Sequence, residues 1–374
     1  MIYLDNAATT WPDPEVVSVM SETLTGCSGN PSSLHGAGRD AGRLLAASRA
    51  IVADALGGGG VVTFTSGGTE SVNWAIAGAL HARRHTGRHI VATAVEHDAA
   101  LAPLRDLADS GYEVTLLPPD KSGQVSADAL AAVLRDDTAL VSVMLVNNET
   151  GAVLPVAEMA SIVRAHSSAL FHTDAVQGFC KVPFTAAGLG VDLISVSAHK
   201  LHGPKGTGAL WVRDGVKLPP LIKGGGQEFG LRSGTEALHN IAGFAKAVEL
   251  AVSSFDETTA HLEGLQAHLR TRLPQAVPTV RFLPQGAPHI MSLSLPGYKS
   301  EVVMNFLDDR GIAVSHASAC KRGGRSHVLT AMGLPHDVID GTIRVSFSRW
   351  TRVADVDALI DGLRDAVGSL FPSL

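Results

Sequence analysis

Asp192-Leu193-Ile194-Ser195-Val196-Ser197-Ala198-His199-Lys200-Leu201-His202-Gly203-Pro204-Lys205-Gly206, followed by Gly208-Ala209-Leu210-Trp211-Val212, decides how this chain reads. The first run is apolar on both faces, as a strand covered on two sides must be. It ends on a His-Lys pair, a Gly-Pro turn interrupts it, and a second apolar run returns. Similar short runs recur at 61–65, 89–93, 112–117, 139–146 and 169–173. Between the early ones lie helical patterns, the clearest with Val72, Ala75, Ile76, Ala79 and Leu80 on one face. Such alternation predicts βαβ units, an α/β fold with a mainly parallel sheet, and ligands at the carboxyl ends of its strands.

After Gly224-Gly225-Gly226 the character changes. Two long helical patterns, 235–253 and 257–273, lead into shorter segments at 289–295, 300–309, 312–315, 343–347 and 355–370. These read as a smaller α+β unit. The expected division is a large domain at 13–250 and a small one from 1–12 and 251–374, the latter carrying a cysteine loop around Cys320. No internal repeat is visible, and the glycine run 57–60 reads as a loop.

The chain has 374 residues, 45% of them hydrophobic and 18% charged, which suits a globular protein and argues against disorder. A formal charge of -6 without a long Lys/Arg run gives no reason to expect nucleic acid or an anionic membrane as partner. Cys27, Cys180 and Cys320 are too few and too scattered for a disulfide framework, which fits a reducing compartment. No basic segment followed by an apolar stretch opens the chain, and no run approaches the roughly 18 apolar residues of a spanning helix. A soluble cytoplasmic protein is therefore expected.

Three motifs can carry chemistry. Phe64-Thr65-Ser66-Gly67-Gly68-Thr69-Glu70 lies between a strand and a helix, where glycines and free N–H groups suit a phosphate and Thr69 adds a hydroxyl. It also reads as an ordinary capped βα turn, and it is neither a nucleotide P-loop nor a dinucleotide fingerprint. In Phe171-His172-Thr173-Asp174-Ala175-Val176-Gln177, the carboxylate at the end of a buried strand needs a partner. The pyridinium nitrogen of pyridoxal 5'-phosphate is one such partner, and a helix-capping role is the other reading. Lys200, at the end of an apolar strand, suits a Schiff base because desolvation lowers the pKa of an amine. A surface lysine is its plain alternative. Ser197 and His199 can close a phosphate cup. His199 and His202 have the i, i+3 spacing of metal ligands, but no acidic or Cys ligand lies beside them, and no metal is expected.

In this order and spacing the motifs resemble the cysteine desulfurases of the class V aminotransferase family, pyridoxal-phosphate enzymes of fold type I. The likeness runs from Tyr3-Leu4-Asp5-Asn6-Ala7-Ala8-Thr9-Thr10 to Arg344. It takes in Gly29-Asn30-Pro31-Ser32-Ser33, Glu96-His97, Val146-Asn147-Asn148-Glu149, Gly224-Gly225-Gly226-Gln227-Glu228 and Arg232-Ser233-Gly234-Thr235. The resemblance implies a large domain with a mainly parallel seven-stranded sheet. It implies that Lys200 carries the cofactor, Asp174 pairs with its ring nitrogen, Gln177 bonds its phenolic oxygen, and His97 stacks on the ring and assists proton transfer. Gly68, Thr69, Ser197 and His199 would hold the phosphate, with Thr235 joining from the other subunit of a homodimer. Asn148 and Arg344 would bind the substrate carboxylate.

Cys320 sits in Ser318-Ala319-Cys320-Lys321-Arg322-Gly323-Gly324-Arg325-Ser326, whose cationic, glycine-rich character favours thiolate and mobility. By the resemblance it would be the nucleophile that takes sulfur from L-cysteine as a persulfide, releasing L-alanine, for onward transfer to an acceptor protein such as one building iron–sulfur clusters. An incidental thiol is the plain reading. The segment departs from the family in lacking the Thr-Gly that often precedes Ser-Ala-Cys and in its short basic stretch; elsewhere, Ala198 stands before the His-Lys pair where glycine is usual. A selenocysteine lyase, another class V enzyme and an inactive scaffold are the competing readings. A simple aminotransferase has no need of the Cys320 thiol, and a scaffold none of Lys200, Asp174, His97 and Arg344.

Overall fold

The computed structural model describes residues 1–284, 286–316 and 324–372. Its central sheet has seven strands in the order Gly60–Thr65, Gly208–Arg213, Leu193–Ser197, Leu170–Asp174, Thr138–Ser142, His89–Thr93, Glu113–Leu117. Each corresponds to one of the apolar runs in the sequence. All neighbours are parallel except Gly208–Arg213, which runs antiparallel to both of its partners.

Both faces of this sheet are buried, which is why its strands lack polar alternation. Ile90, Leu140, Leu170, Leu193, Leu210 and Val212 pack in one cluster with Val72, Ala75, Ile76, Ala79 and Leu80 of the helix Gly68–Ala82. Val91, Val141, Phe171, Ile194, Ala209 and Trp211 belong to the opposite cluster, with Val52 of Gly36–Ala55 and Phe244 of Leu238–Ser253. Each Val, Leu, Ile or Phe among these side chains stabilises by roughly 1.5–3 kcal/mol when removed from water.

The run 139–146 leaves the sheet at Ser142. Val143 and Leu145 still donate to the carbonyls of His172 and Asp174, but the Met144 N–H is taken by the Glu96 carboxyl at 2.9 Å. A side chain thus replaces the ladder partner and turns the strand end into cavity wall. Two helices, Pro14–Gly26 and Gly36–Ala55, precede the sheet and had no counterpart in the sequence reading.

A second, antiparallel sheet has the order Ser315–His316, Thr342–Ser346, Ile290–Ser294, Arg281–Phe282. Leu269, Leu307, Leu359 and Leu363, from the helices Phe255–Ala276, Ser300–Asp308 and Val353–Ser369, cover it. The run 312–315 splits at Val314 because its halves serve different sheets. Ile312–Ala313 pairs in parallel with Ile2–Tyr3, whereas Ser315–His316 pairs with Thr342–Ser346. From Ile2–Tyr3 the N-terminal segment crosses to the large sheet, where Thr10 N–H and Oγ1 both donate to the His199 carbonyl. Among the described residues no helix is long and apolar enough to cross a membrane.

Candidate active site

A cavity of about 310 Å³ opens where the carboxyl ends of the parallel strands meet the N-terminal segment and the strand Thr342–Ser346. Its lining includes Gly68, Thr69, His97, Asn148, Asp174, Gln177, Ser197, His199, Lys200 and Arg344. Ten residues singled out in the sequence, spread from 68 to 344, therefore face one space.

Leu193–Ser197 ends in a single turn of 3-10 helix, Ala198–Lys200, which swings Lys200 off the sheet. The turn is closed by Ala198 N–H to the Thr207 carbonyl at 3.0 Å, and the chain returns directly into Gly208–Arg213. Only glycine fits at 208, since a Cβ there would lie 2.6 Å from the Val196 carbonyl oxygen and 2.7 Å from the Gly67 carbonyl carbon. Lys200 Nζ donates to the carbonyls of Ala7 and Ala8 at 2.6 and 2.8 Å. Gln177 Nε2 donates to the same Ala7 carbonyl at 2.8 Å, so the N-terminal segment orients both side chains.

Asp174 ends Leu170–Asp174 and is 7% exposed. Its carboxylate accepts the Val176 N–H at 2.9 Å. Burial raises its pKa, while that hydrogen bond and the nearby His97 and Lys200 pull the other way. A buried carboxylate held this way is ready for a cationic partner. His97 caps the helix Asp98–Asp109, its Nδ1 accepting the Ala99 N–H at 3.0 Å, which fixes the ring at the cavity edge.

Gly67 caps Gly68–Ala82 without a side-chain acceptor for the first-turn N–H groups. Opposite lies Ser197, 1% exposed, whose Oγ has no hydrogen-bond partner among the described residues. Beside it His199 Nδ1 meets Thr9 Oγ1 at 3.1 Å. Burial, then the charges of Lys200, Lys181 and Lys205, lower the His199 pKa to about 4, so this imidazole is neutral near pH 7. A helix N-terminus, an unpartnered hydroxyl and a neutral imidazole make a polar cradle of the kind that takes a phosphate.

Arg344 is 1% exposed at the centre of Thr342–Ser346. Nη1 donates to the Asn148 carbonyl at 2.8 Å and Nη2 to Asp5 Oδ1 at 2.9 Å. Its Nε is buried without a partner among the described residues, leaving a cationic donor to spare. Asn147 shapes the loop that presents Asn148, its Oδ1 accepting the N–H groups of Glu149 and Thr150, both at 2.9 Å.

Two residues singled out in the sequence are not among these ten. Thr235 is exposed and does not line the cavity. Cys320 lies outside the described residues. Cys27 is not in the lining either, and Cys180 packs against the core of the large sheet. His202 Nδ1 is engaged with the Trp11 carbonyl at 2.9 Å, and no group of three metal-ligating side chains occurs among the described residues.

Several groups at the site had been given no role from the sequence. The Ala7 and Ala8 carbonyls and Asp5 lie within a motif quoted above, but main-chain acceptors leave no mark in residue types. Glu96 is fully buried, accepting from Thr93 Oγ1 at 2.6 Å and from Met144 N–H; burial pushes its pKa up to about 8. Lys181, behind Lys200, is pushed down to about 7, first by burial and then by Lys200. Their signal was an ionisable residue type inside an apolar run.

The aminotransferase class-V family model matches residues 2–359. A protein named cysteine desulfurase IscS from Methanosarcina thermophila is 40% identical over 99% of this chain and 92% of its own length. A solved NifS-like protein superposes with a TM-score of 0.93 at 36% identity, covering 99% of this chain and 100% of that one. SspA, solved in complex with cysteine, gives a TM-score of 0.82 at 32% identity over 94% of this chain and 100% of its own.

Proposed function

We infer from the aminotransferase class-V family, to which this chain belongs, that it is a cysteine desulfurase of fold type I, converting L-cysteine to L-alanine. The observation that carries the reading is the convergence of Lys200, Asp174, Gln177, His97 and Arg344 on one cavity. The relative solved with cysteine supports the substrate.

The residues present fit pyridoxal 5'-phosphate. The unpartnered Ser197 hydroxyl beside the first turn of Gly68–Ala82 suits its phosphate, and the buried Asp174 carboxylate suits its ring nitrogen. Lys200 would anchor it, Gln177 would bond its phenolic oxygen, and Gly68, Thr69, Ser197 and His199 would hold its phosphate. Thr235 would reach the same group from the second subunit of a homodimer. When bound, the cofactor supplies an electron sink beside the substrate's Cα.

The remaining work falls to the chain. Arg344 and Asn148 bind the substrate carboxylate, the spare Nε–H of Arg344 adding a charge-assisted bond. Lys200 Nζ and His97 are the groups that move the proton at Cα. The Cys320 thiolate attacks the substrate sulfur: an S–S bond forms, the Cβ–S bond breaks, and the carbon skeleton keeps the electron pair. Protonation then gives L-alanine, and Cys320 carries the persulfide for a sulfur-acceptor protein.

The test is alanine release from L-cysteine by the pyridoxal-phosphate-loaded protein, with and without reductant, beside Cys320→Ala. Alanine from the wild type alone upholds the reading. If neither protein makes alanine although the cofactor is bound, the reading fails.

A further inference from the structure

The chain enters and leaves the segment 317–323, which contains Cys320, through elements tied to the cavity. On the N-terminal side, Ser315–His316 pairs with Thr342–Ser346, Ser315 lying opposite Arg344. On the C-terminal side, Ser326 and His327 open the short helix His327–Ala331. Ser326 Oγ accepts the Leu329 N–H at 3.0 Å, an ordinary helix cap. The same hydroxyl donates to Glu149 Oε2, and neither Ser326 nor Glu149 is more than 4% exposed. Glu149 directly follows Asn148, whose carbonyl holds Arg344. His327 Nε2 donates to the Glu96 carbonyl at 3.0 Å, and Glu96 directly precedes His97. A cap needs only the first of these contacts. The other two reach the separate loops that carry Asn148 and His97.

We propose that Ser326 and His327 are positioning residues for sulfur transfer. They pin the C-terminal root of the Cys320 segment to the Asn148–Glu149 loop and to the Glu96–His97 turn, and so fix the range over which the thiol meets the substrate sulfur. The proposal rests on the desulfurase reading with Cys320 as nucleophile. Its physical basis is effective concentration. A residue of extended chain spans at most about 3.6 Å, so the reach of any residue in a segment is set by where its two roots are held. Freeing one root enlarges that reach and lowers the rate of an otherwise intramolecular attack.

The experiment uses the cofactor-loaded protein and the double variant Ser326→Ala/His327→Ala. Two quantities are read on mixing with L-cysteine: half-saturation of the cofactor's absorbance change, and single-turnover persulfide formation on Cys320 by thiol labelling and mass spectrometry. The expected result is unchanged half-saturation with persulfide formation slowed about tenfold or more, and a normal rate in Ser326→Thr, which keeps the hydroxyl. His327→Ala alone, which removes one tether and leaves the cap, is expected to slow the same step severalfold and stands in if the double variant does not fold. Persulfide formation at the wild-type rate in these variants overturns the proposal. So does a loss that appears equally in half-saturation, because the residues would then serve the cavity as a whole. If Cys320→Ala makes alanine as fast as the wild type, it is the underlying assignment of Cys320 as the nucleophile that fails; if neither protein makes alanine, it is the desulfurase reading.

Discussion

Replacing Arg344 with lysine separates charge from geometry at the substrate end of the cavity. Lysine keeps a cation beside Asp5, which the present Nη2 contact satisfies at 2.9 Å, so the ion pair with the N-terminal segment survives in kind. What disappears is the planar fork, including the buried Nε–H that has no acceptor among the described residues. A hydrogen bond to a charged group contributes about 1.5–3 kcal/mol. At 1.36 kcal/mol per factor of ten, losing one such bond to the substrate carboxylate lowers kcat/KM by about 10- to 150-fold. Because the carboxylate does not react, the loss should fall mainly on KM. The assay is initial-rate alanine release across a range of L-cysteine concentrations. Cofactor absorbance and thermal unfolding in the same preparation show that the fold is intact. A kcat/KM within threefold of wild type would refute the assignment of Arg344 to the substrate carboxylate.

At the phosphate cradle, Gly68→Ala puts a Cβ 2.8 Å from Val176 Cγ2 and 3.6 Å from Ser197 Cβ, on the cavity side. Overpacking of this kind costs about 1–3 kcal/mol, so cofactor titration should show about 5- to 150-fold weaker binding; unaltered affinity would argue against a phosphate there. Arg49→Met breaks a buried pair with Glu228, whose carboxylate also holds the Phe64 N–H at 2.9 Å. About 3–5 kcal/mol should be lost in chemical denaturation, and a loss below 1 kcal/mol would mean the pair is solvated. Glu96→Gln gives a pH signature. The folded pKa of Glu96 is about 8 against an ordinary 4.5, so its stabilising contribution is complete below pH 4.5 and lost as pH rises through 8. Glutamine keeps the acceptor for Thr93 and Met144 and cannot ionise. The variant should therefore gain on wild type between pH 5 and pH 8 in thermal melts, and a constant difference would show that Glu96 does not titrate there.

The seven strands of the large sheet were legible because strands covered on both faces are simple apolar runs. The helix Gly68–Ala82 was legible because its buried face repeats at helical spacing. Gly36–Ala55 escaped notice although Gly38, Ala41, Leu45, Ser48 and Val52 also keep that spacing, because most of these side chains are too small to stand out as apolar. The split at Val314 could not be read either, since it depends on two separate partners distant in sequence. At the site, side chains with a proposed chemical task were visible by residue type: Lys200, Asp174 and Ser197 each follow or end a strand. Their orientation was not, because it depends on the Ala7 and Ala8 carbonyls and on the Asn148 main chain, which any residue could supply.

The antiparallel placement of Gly208–Arg213 restricts how this protein can vary. An all-parallel sheet would leave Lys200 through a long crossover, a connection in which insertions are absorbed at little cost. Here the chain turns straight back, with Ser197 and Gly208 already paired across the mouth of the loop. The returning strand is two-sided: Ala209 and Trp211 belong to one core and Leu210 and Val212 to the other. A length change carried into it would exchange those two sets of side chains at once. Insertions and deletions between Ser197 and Gly208 should therefore be screened out by folding before activity is ever tested. A library that varies loop lengths across this chain would find this stretch among its least permissive, with Lys200 turning only about its own side-chain bonds on a fixed mount.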